Sequence, residues 1–141
     1  MPGAAQDSIF TKIVKGEIPC HRVFENEHVL AFLDITPLSE GHTLVIPKLQ
    51  AERLEDLPPE DTAELARQLG AIAKRVCAVT GAEAYNVLQN NGRVAGQEVP
   101  HVHFHIIPRR AGDGLGYRWN AKPADHDALA ELARRINATE T

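Results

Sequence analysis

The stretch HVHFH, residues 101 to 105, sets three of the seven histidines at alternate positions with an apolar residue between each pair. Near neutral pH an imidazole can be a nucleophile, a proton carrier, an anion partner or a metal ligand. In an extended strand successive side chains point to opposite faces. His101, His103 and His105 would then share one face, while Val102, Phe104 and Ile106 enter a core. Neighbouring histidines would lie about 6.6 Å apart at Cα and the outer two about 13 Å, from the rise per residue. One metal could take two such rings but not three without a bend. Three uses stay open: a histidine-rich outer face, a metal site completed from elsewhere, and catalysis or phosphate binding along an extended ligand.

The preceding loop, NNGRVAGQEVP, favours the third use. Asn90-Asn91-Gly92 and Gly96-Gln97 supply turns, amide donors and close backbone approach. A loop of this kind can aim several N–H groups at an anion.

The elements that must position these residues follow from periodicity. Asp7 or Ser8 can cap a short helix over Ile9 to Lys15, with Ile9, Phe10 and Ile13 on one face and Gly16 at its end. His21 to Glu25 and Val29 to Asp34 read as strands joined by Glu25-Asn26-Glu27, and Thr43 to Pro47 as a third. From about Pro58 to Thr80, Leu65, Leu69, Ile72, Val76 and Val79 recur at helical spacing, and Gly81 closes the helix. Ala84 to Gln89 is a fourth strand, and a fifth carries His101 to Ile107 and stops at Pro108. A glycine-rich loop, RRAGDGLGYRW, leads to a short amphipathic helix around Leu129, Leu132, Ala133 and Ile136. The expected fold is α+β: a five-stranded antiparallel sheet, one long helix, and short N- and C-terminal helices.

The 141 residues suit one domain, with residues 1–6 a loose tail and 109–141 a C-terminal extension. A net charge of −4 recommends neither nucleic acid nor an anionic membrane as partner, and no apolar run spans a bilayer. Cys20 and Cys77 are far apart and in no ligand spacing, which suggests reduced thiols in the cytoplasm.

The residues resemble the histidine triad (HIT) family of nucleotide-binding hydrolases, most closely its prokaryotic Hint-type branch. HVHFHII fits the His-φ-His-φ-His-φ-φ signature at every position. DSIFTKIVKGEIP, AFLDITPLSEGHTLVIPK and NNGRVAGQEVPHVHFHIIPR look like the family's three blocks in order. The resemblance implies a nucleotidyl-histidine mechanism at the α-phosphate of a purine nucleotide. His103 would be the nucleophile, His105 a contact to phosphate or leaving group, and His101 part of the network behind, with His42 beside the triad. Asp34 would take the ribose hydroxyls, and Asn90 and Gln97 would contact sugar and phosphate. The backbone N–H groups of Glu98 and Val99 would hold the phosphate. Ile9, Phe10, Ile13, Phe32, Ile35 and Leu44 would form the apolar slot for the base.

Adenosine 5'-phosphoramidate hydrolysis is the leading expectation. The alternatives are a diadenosine polyphosphate hydrolase and a nucleotide-binding interaction protein with incidental activity. The resemblance also implies a homodimer. Two departures stand out. Where bacterial relatives hold a structural zinc with Cys-x-x-Cys and a histidine, this chain has Ser8, Thr11 and Gln50, so no metal and no cofactor are expected. Where Hint-type enzymes place a serine after Gly-Gln, it has Glu98.

Overall fold

The computed structural model describes residues 6–116 and 121–139. Helix α1 (Ile9–Val14) leads into strands β1 (Arg22–Glu25), β2 (Val29–Leu33) and β3 (Thr43–Pro47). Helix α2 (Pro59–Thr80) follows, then β4 (Ala84–Gln89), β5 (Phe104–Arg109) and α3 (His126–Asn137). The strands form one antiparallel sheet of five, as expected, and its order is β1-β2-β3-β5-β4.

Both faces of the sheet centre are covered, which is why β2 and β3 read as unbroken apolar runs. Val29, Ala31, Val45, Val102 and Ile106 pack with Leu65, Ile72, Ala73 and Val76 of α2. Leu30, Phe32, Leu44 and Ile46 meet Phe10 of α1 on the opposite face. Burying a side chain such as Leu65 completely contributes about 1.5–3 kcal/mol. Pro59 supplies the first residue of α2, and Gly81 ends it in the left-handed region with its N–H on the Cys77 carbonyl at 2.8 Å. The turn before β3 lies so close to α2 that a Cβ on Gly41 would come within 2.8 Å of Val76 Cγ1 and 2.9 Å of Thr80 Cγ2.

Several expectations need correction. The last turn of α2 meets the Gly41 turn through Thr80, and Val79 is 88% exposed rather than in the core. In α1, Phe10 is buried and Ile13 half-buried, but Ile9 is 52% exposed and leaves the shared face. The fifth strand begins at Phe104, not His101, and runs through Pro108 to Arg109. Its early part is drawn off the sheet because the His101 N–H bonds Val99 O and the Val102 N–H bonds Ala51 O, both at 2.8 Å. Pro108 is tolerated because its carbonyl, and therefore its nitrogen, faces the β3 side beyond the last β3 pair, Thr43 with Ile106. Ser39 Oγ donates to that carbonyl at 2.7 Å.

Helix α3 forms where the pattern places it, capped by Asp125, yet all its described residues are exposed, including Leu129, Leu132 and Ile136. The chain leading to it is tied down at its start. Arg109 grips Asp113 and donates to the Asn86 side chain and the Leu115 carbonyl. The expected loose tail lies, apart from Gln6, outside the described residues, as does Tyr117 to Asn120 of the glycine-rich loop.

Candidate active site

His101, the most buried of the histidines, is held at both ring nitrogens. Nε2 lies 2.8 Å from the Pro47 carbonyl, which can only accept, so this nitrogen carries the ring proton. Nδ1 therefore holds a lone pair, and the Ser8 hydroxyl sits 2.7 Å from it. His103 Nδ1 lies 2.7 Å from the backbone carbonyl of His101 and must donate to it. Neutral His103 consequently keeps its lone pair on Nε2.

The neighbouring ring has the reverse polarity. The Leu38 N–H donates to His42 Nδ1 at 3.0 Å, so neutral His42 carries its proton on Nε2. That nitrogen lies 2.9 Å from His105 Nδ1 and donates to it. Neutral His105 then carries its own proton on Nε2. The His103 and His105 ring centroids are 5.0 Å apart, so an imidazole with a free lone pair stands beside one with a free N–H. Although His101 and His103 precede the strand, the alternation survives. Val102, Phe104 and Ile106 enter the α2 core, while Phe10 meets His101 and His103 edge-on at 5.8 and 5.1 Å from the other side.

Burial pushes all four imidazoles toward the neutral form. It lowers the pKa of His101 against the opposing Pro47 hydrogen bond. It lowers that of His103 against the His101 carbonyl and the carboxylates of Asp34 and Glu98. It lowers that of His42 against Asp34. His105 is pushed down to about 4, by burial first and then by the charges of His103 and His42.

Around these rings the other expected residues divide. Asp34 is half-buried; Oδ1 accepts from the N–H and hydroxyl of Thr36 at 2.9 and 3.1 Å, and Oδ2 lies 3.7 Å from His42 Nε2. Phe32 and Leu44 are buried with Phe10, and Ile13 packs against that cluster. Ile9 and Ile35 are exposed, so they can contribute only to the mouth of a slot. Gln97 is buried and holds the loop together. Its Oε1 accepts the Gly92 N–H at 2.7 Å, and Nε2 donates to the carbonyls of Glu52 at 2.7 Å and Val99 at 3.1 Å. The Asn90 side chain lies over Gly96, Glu98 is exposed, and Val99 packs against the α1 cluster.

Among the described residues, Asp34, His42 and His105 offer ligand atoms within 4.8 Å of one another, with His42 Nε2 and His105 Nδ1 already bonded to each other. At the three positions weighed for a structural zinc, the donor set does not suit that metal. Ser8, Thr11 and Gln50 are two hydroxyls and an amide, bonded to one another and to His101. Sequence reasoning missed that these residues are the ring's partners, and missed the Leu38 N–H and Pro47 carbonyl that set the tautomers. Only the helix cap at Ser8 was a usable signal. His21, His28 and His126 are exposed, and no hydrogen bond among those described joins them to this group.

Comparisons with known proteins bear on the family. The chain is 47% identical over 131 residues to the adenosine 5'-monophosphoramidase of Schizosaccharomyces pombe, covering 92% of this chain and 96% of that one. It is 43% identical over 109 residues to an adenylylsulfatase of Arabidopsis thaliana, covering 77% of this chain and 55% of that one. The crystal structure of a HIT family protein from Bacillus anthracis superposes with a TM-score of 0.90 at 39% identity, covering 97% of this chain and all of that one. Residues 15–112 match the HIT domain, and the chain belongs to the HIT family.

Proposed function

We propose that this histidine triad hydrolase cleaves adenosine 5'-phosphoramidates through a nucleotide bonded to His103. One observation carries the reading: two separate hydrogen-bond chains give adjacent rings opposite polarity, a lone pair on His103 Nε2 and an N–H on His105 Nε2. His103 Nε2 attacks the α-phosphorus, and the bond to the leaving nitrogen breaks with its electron pair staying on that nitrogen, which picks up a proton. The His105 N–H and the backbone donors of Glu98 and Val99 meet the charge spread over the phosphate oxygens. Water then adds to phosphorus and loses a proton, and His103 recovers its lone pair as AMP departs. Asp34 receives the ribose hydroxyls, Asn90 contacts the sugar, and the base lies against Phe10, Ile13, Phe32 and Leu44, with Ile9 and Ile35 at the rim. Gln97 serves by holding the loop in shape.

The named relatives support hydrolysis of a nucleotide conjugate, one acting on a phosphoramidate and another on adenylyl sulfate. Diadenosine polyphosphates are the alternative substrate class. We also read the protein as cytoplasmic, because Cys20 and Cys77 are both free thiols. A homodimer would cover the β4 edge, where Tyr85 and Val87 stand exposed.

Rapid-quench mass spectrometry should find AMP on His103, and His103→Ala should lose turnover by several orders of magnitude while still binding AMP. Near wild-type turnover in that variant, or label on His101 or His105, would refute the mechanism.

A further inference from the structure

We propose that Ser8 is a positioning residue for the nucleophile, acting through the His101 ring; this rests on the hydrolytic reading above. Ser8 is 7% exposed and His101 fully buried, so the bond between them lies where an unpaired lone pair is costly. Ser8 Oγ accepts the Thr11 N–H at 2.9 Å, which caps α1. Its single proton has two acceptors within reach, His101 Nδ1 at 2.7 Å and Thr11 Oγ1 at 3.2 Å. The surroundings favour the first.

Thr11 Oγ1 gives its own proton to Gln50 Oε1 at 2.6 Å, and that oxygen also takes the Ser8 N–H at 2.8 Å. Gln50 Nε2 reaches the Gln6 carbonyl at 2.9 Å, so the amide can face only one way. No buried side-chain nitrogen or oxygen among the described residues lacks a partner. A helix cap needs only an acceptor at this position, and a carboxylate would serve as well. The hydroxyl adds what a carboxylate cannot: a proton for His101 Nδ1.

The consequence reaches His103 through the main chain. With Ser8 on one nitrogen and Pro47 on the other, the His101 ring cannot turn, and the residue's carbonyl stays aimed at His103 Nδ1, 2.7 Å away. When His103 Nε2 bonds phosphorus its ring becomes positive and Nδ1–H a stronger donor, so a carbonyl already in line stabilises that state. Phe10, on the same helix that Ser8 caps, packs edge-on against both rings. Helix α1 therefore grips the nucleophile segment by packing and by one donated proton.

Three substitutions separate the roles. Ser8→Thr keeps cap and hydroxyl, Ser8→Asp keeps the cap but removes the donated proton, and Ser8→Ala removes both. On adenosine 5'-phosphoramidate, kcat should fall about threefold to tenfold in the Asp and Ala variants, the worth of one hydrogen bond. KM should change little, and the Thr variant should stay near wild type. Thr11 Oγ1, 3.4 Å from the same nitrogen, can partly replace the lost donor in Ser8→Ala, so adding Thr11→Val should deepen the loss.

Nitrogen-15 spectra should show His101 protonated on Nε2 alone in wild type and Ser8→Thr, and on both nitrogens in Ser8→Asp, where a carboxylate faces Nδ1 and the Pro47 carbonyl still faces Nε2. The acid limb of the kcat profile should move to higher pH in Ser8→Asp. A Ser8→Asp variant matching wild type in kcat, pH profile and tautomer would overturn the proposal, as would Ser8→Thr falling as far as Ser8→Ala. If wild-type protein neither turns over the substrate nor becomes labelled, the hydrolytic reading fails instead, and the tautomer comparison still decides the role of Ser8.

Discussion

His42 makes two bonds that can be removed one at a time. Its Nδ1 accepts the Leu38 N–H at 3.0 Å, and its Nε2 donates to His105 Nδ1 at 2.9 Å. An asparagine oxygen falls near the place of the first nitrogen, and a glutamine amide near the second. His42→Asn should therefore keep the Leu38 bond and lose the proton given to His105. His42→Gln should do the reverse. Losing one neutral hydrogen bond is worth about 0.5–1.5 kcal/mol, and a tenfold change in rate is about 1.4 kcal/mol. Freed from its partner, His105 can also place its proton on Nδ1, away from the phosphate. We expect His42→Asn to lower kcat about tenfold with nearly wild-type stability. His42→Gln strands a partly buried N–H, so it should lose about 1–3 kcal/mol of stability and less activity. Chromatographic AMP release and urea melts measure the two quantities. If His42→Asn turned over at the wild-type rate, the proton given to His105 would have no role in the reaction.

The lowered pKa values also have a sign. Unfolded imidazoles near 6.5 bind protons that the folded rings, His105 at about 4, refuse. Stability should be fully present above pH 6.5 and decline as the pH falls toward 4, and urea midpoints that rise on acidification through this window would contradict the burial argument. Activity should survive EDTA, because the donor set at Ser8, Thr11 and Gln50 does not suit zinc. Loss of activity on chelation, with recovery on adding zinc, would refute that. Light scattering should give twice the single-chain mass of 15.5 kDa, and a monomer at micromolar concentration would count against pairing at β4.

Local spacing determined a good deal by itself. Alternation in HVHFH, the short apolar runs of β2 and β3, and a period near 3.6 in α2 each express how side chains are set out along an element, and backbone geometry makes that a property of neighbours in sequence. Hence the five strands, the long helix and the opposed environments of His103 and Phe104 were legible. The same reasoning put the start of the last strand too early and Val79 in the core, because both depend on what packs opposite: Ala51 and Val99 for the one, the Gly41 turn for the other. What the tertiary structure alone decided is the proton inventory of the site. His101 meets Ser8 across 93 positions, His42 meets His105 across 63, and His101 meets the Pro47 carbonyl across 54. No periodicity encodes such pairs. An imidazole's two nitrogens are equivalent in a sequence and become donor and acceptor only when a fixed carbonyl or N–H stands beside one of them.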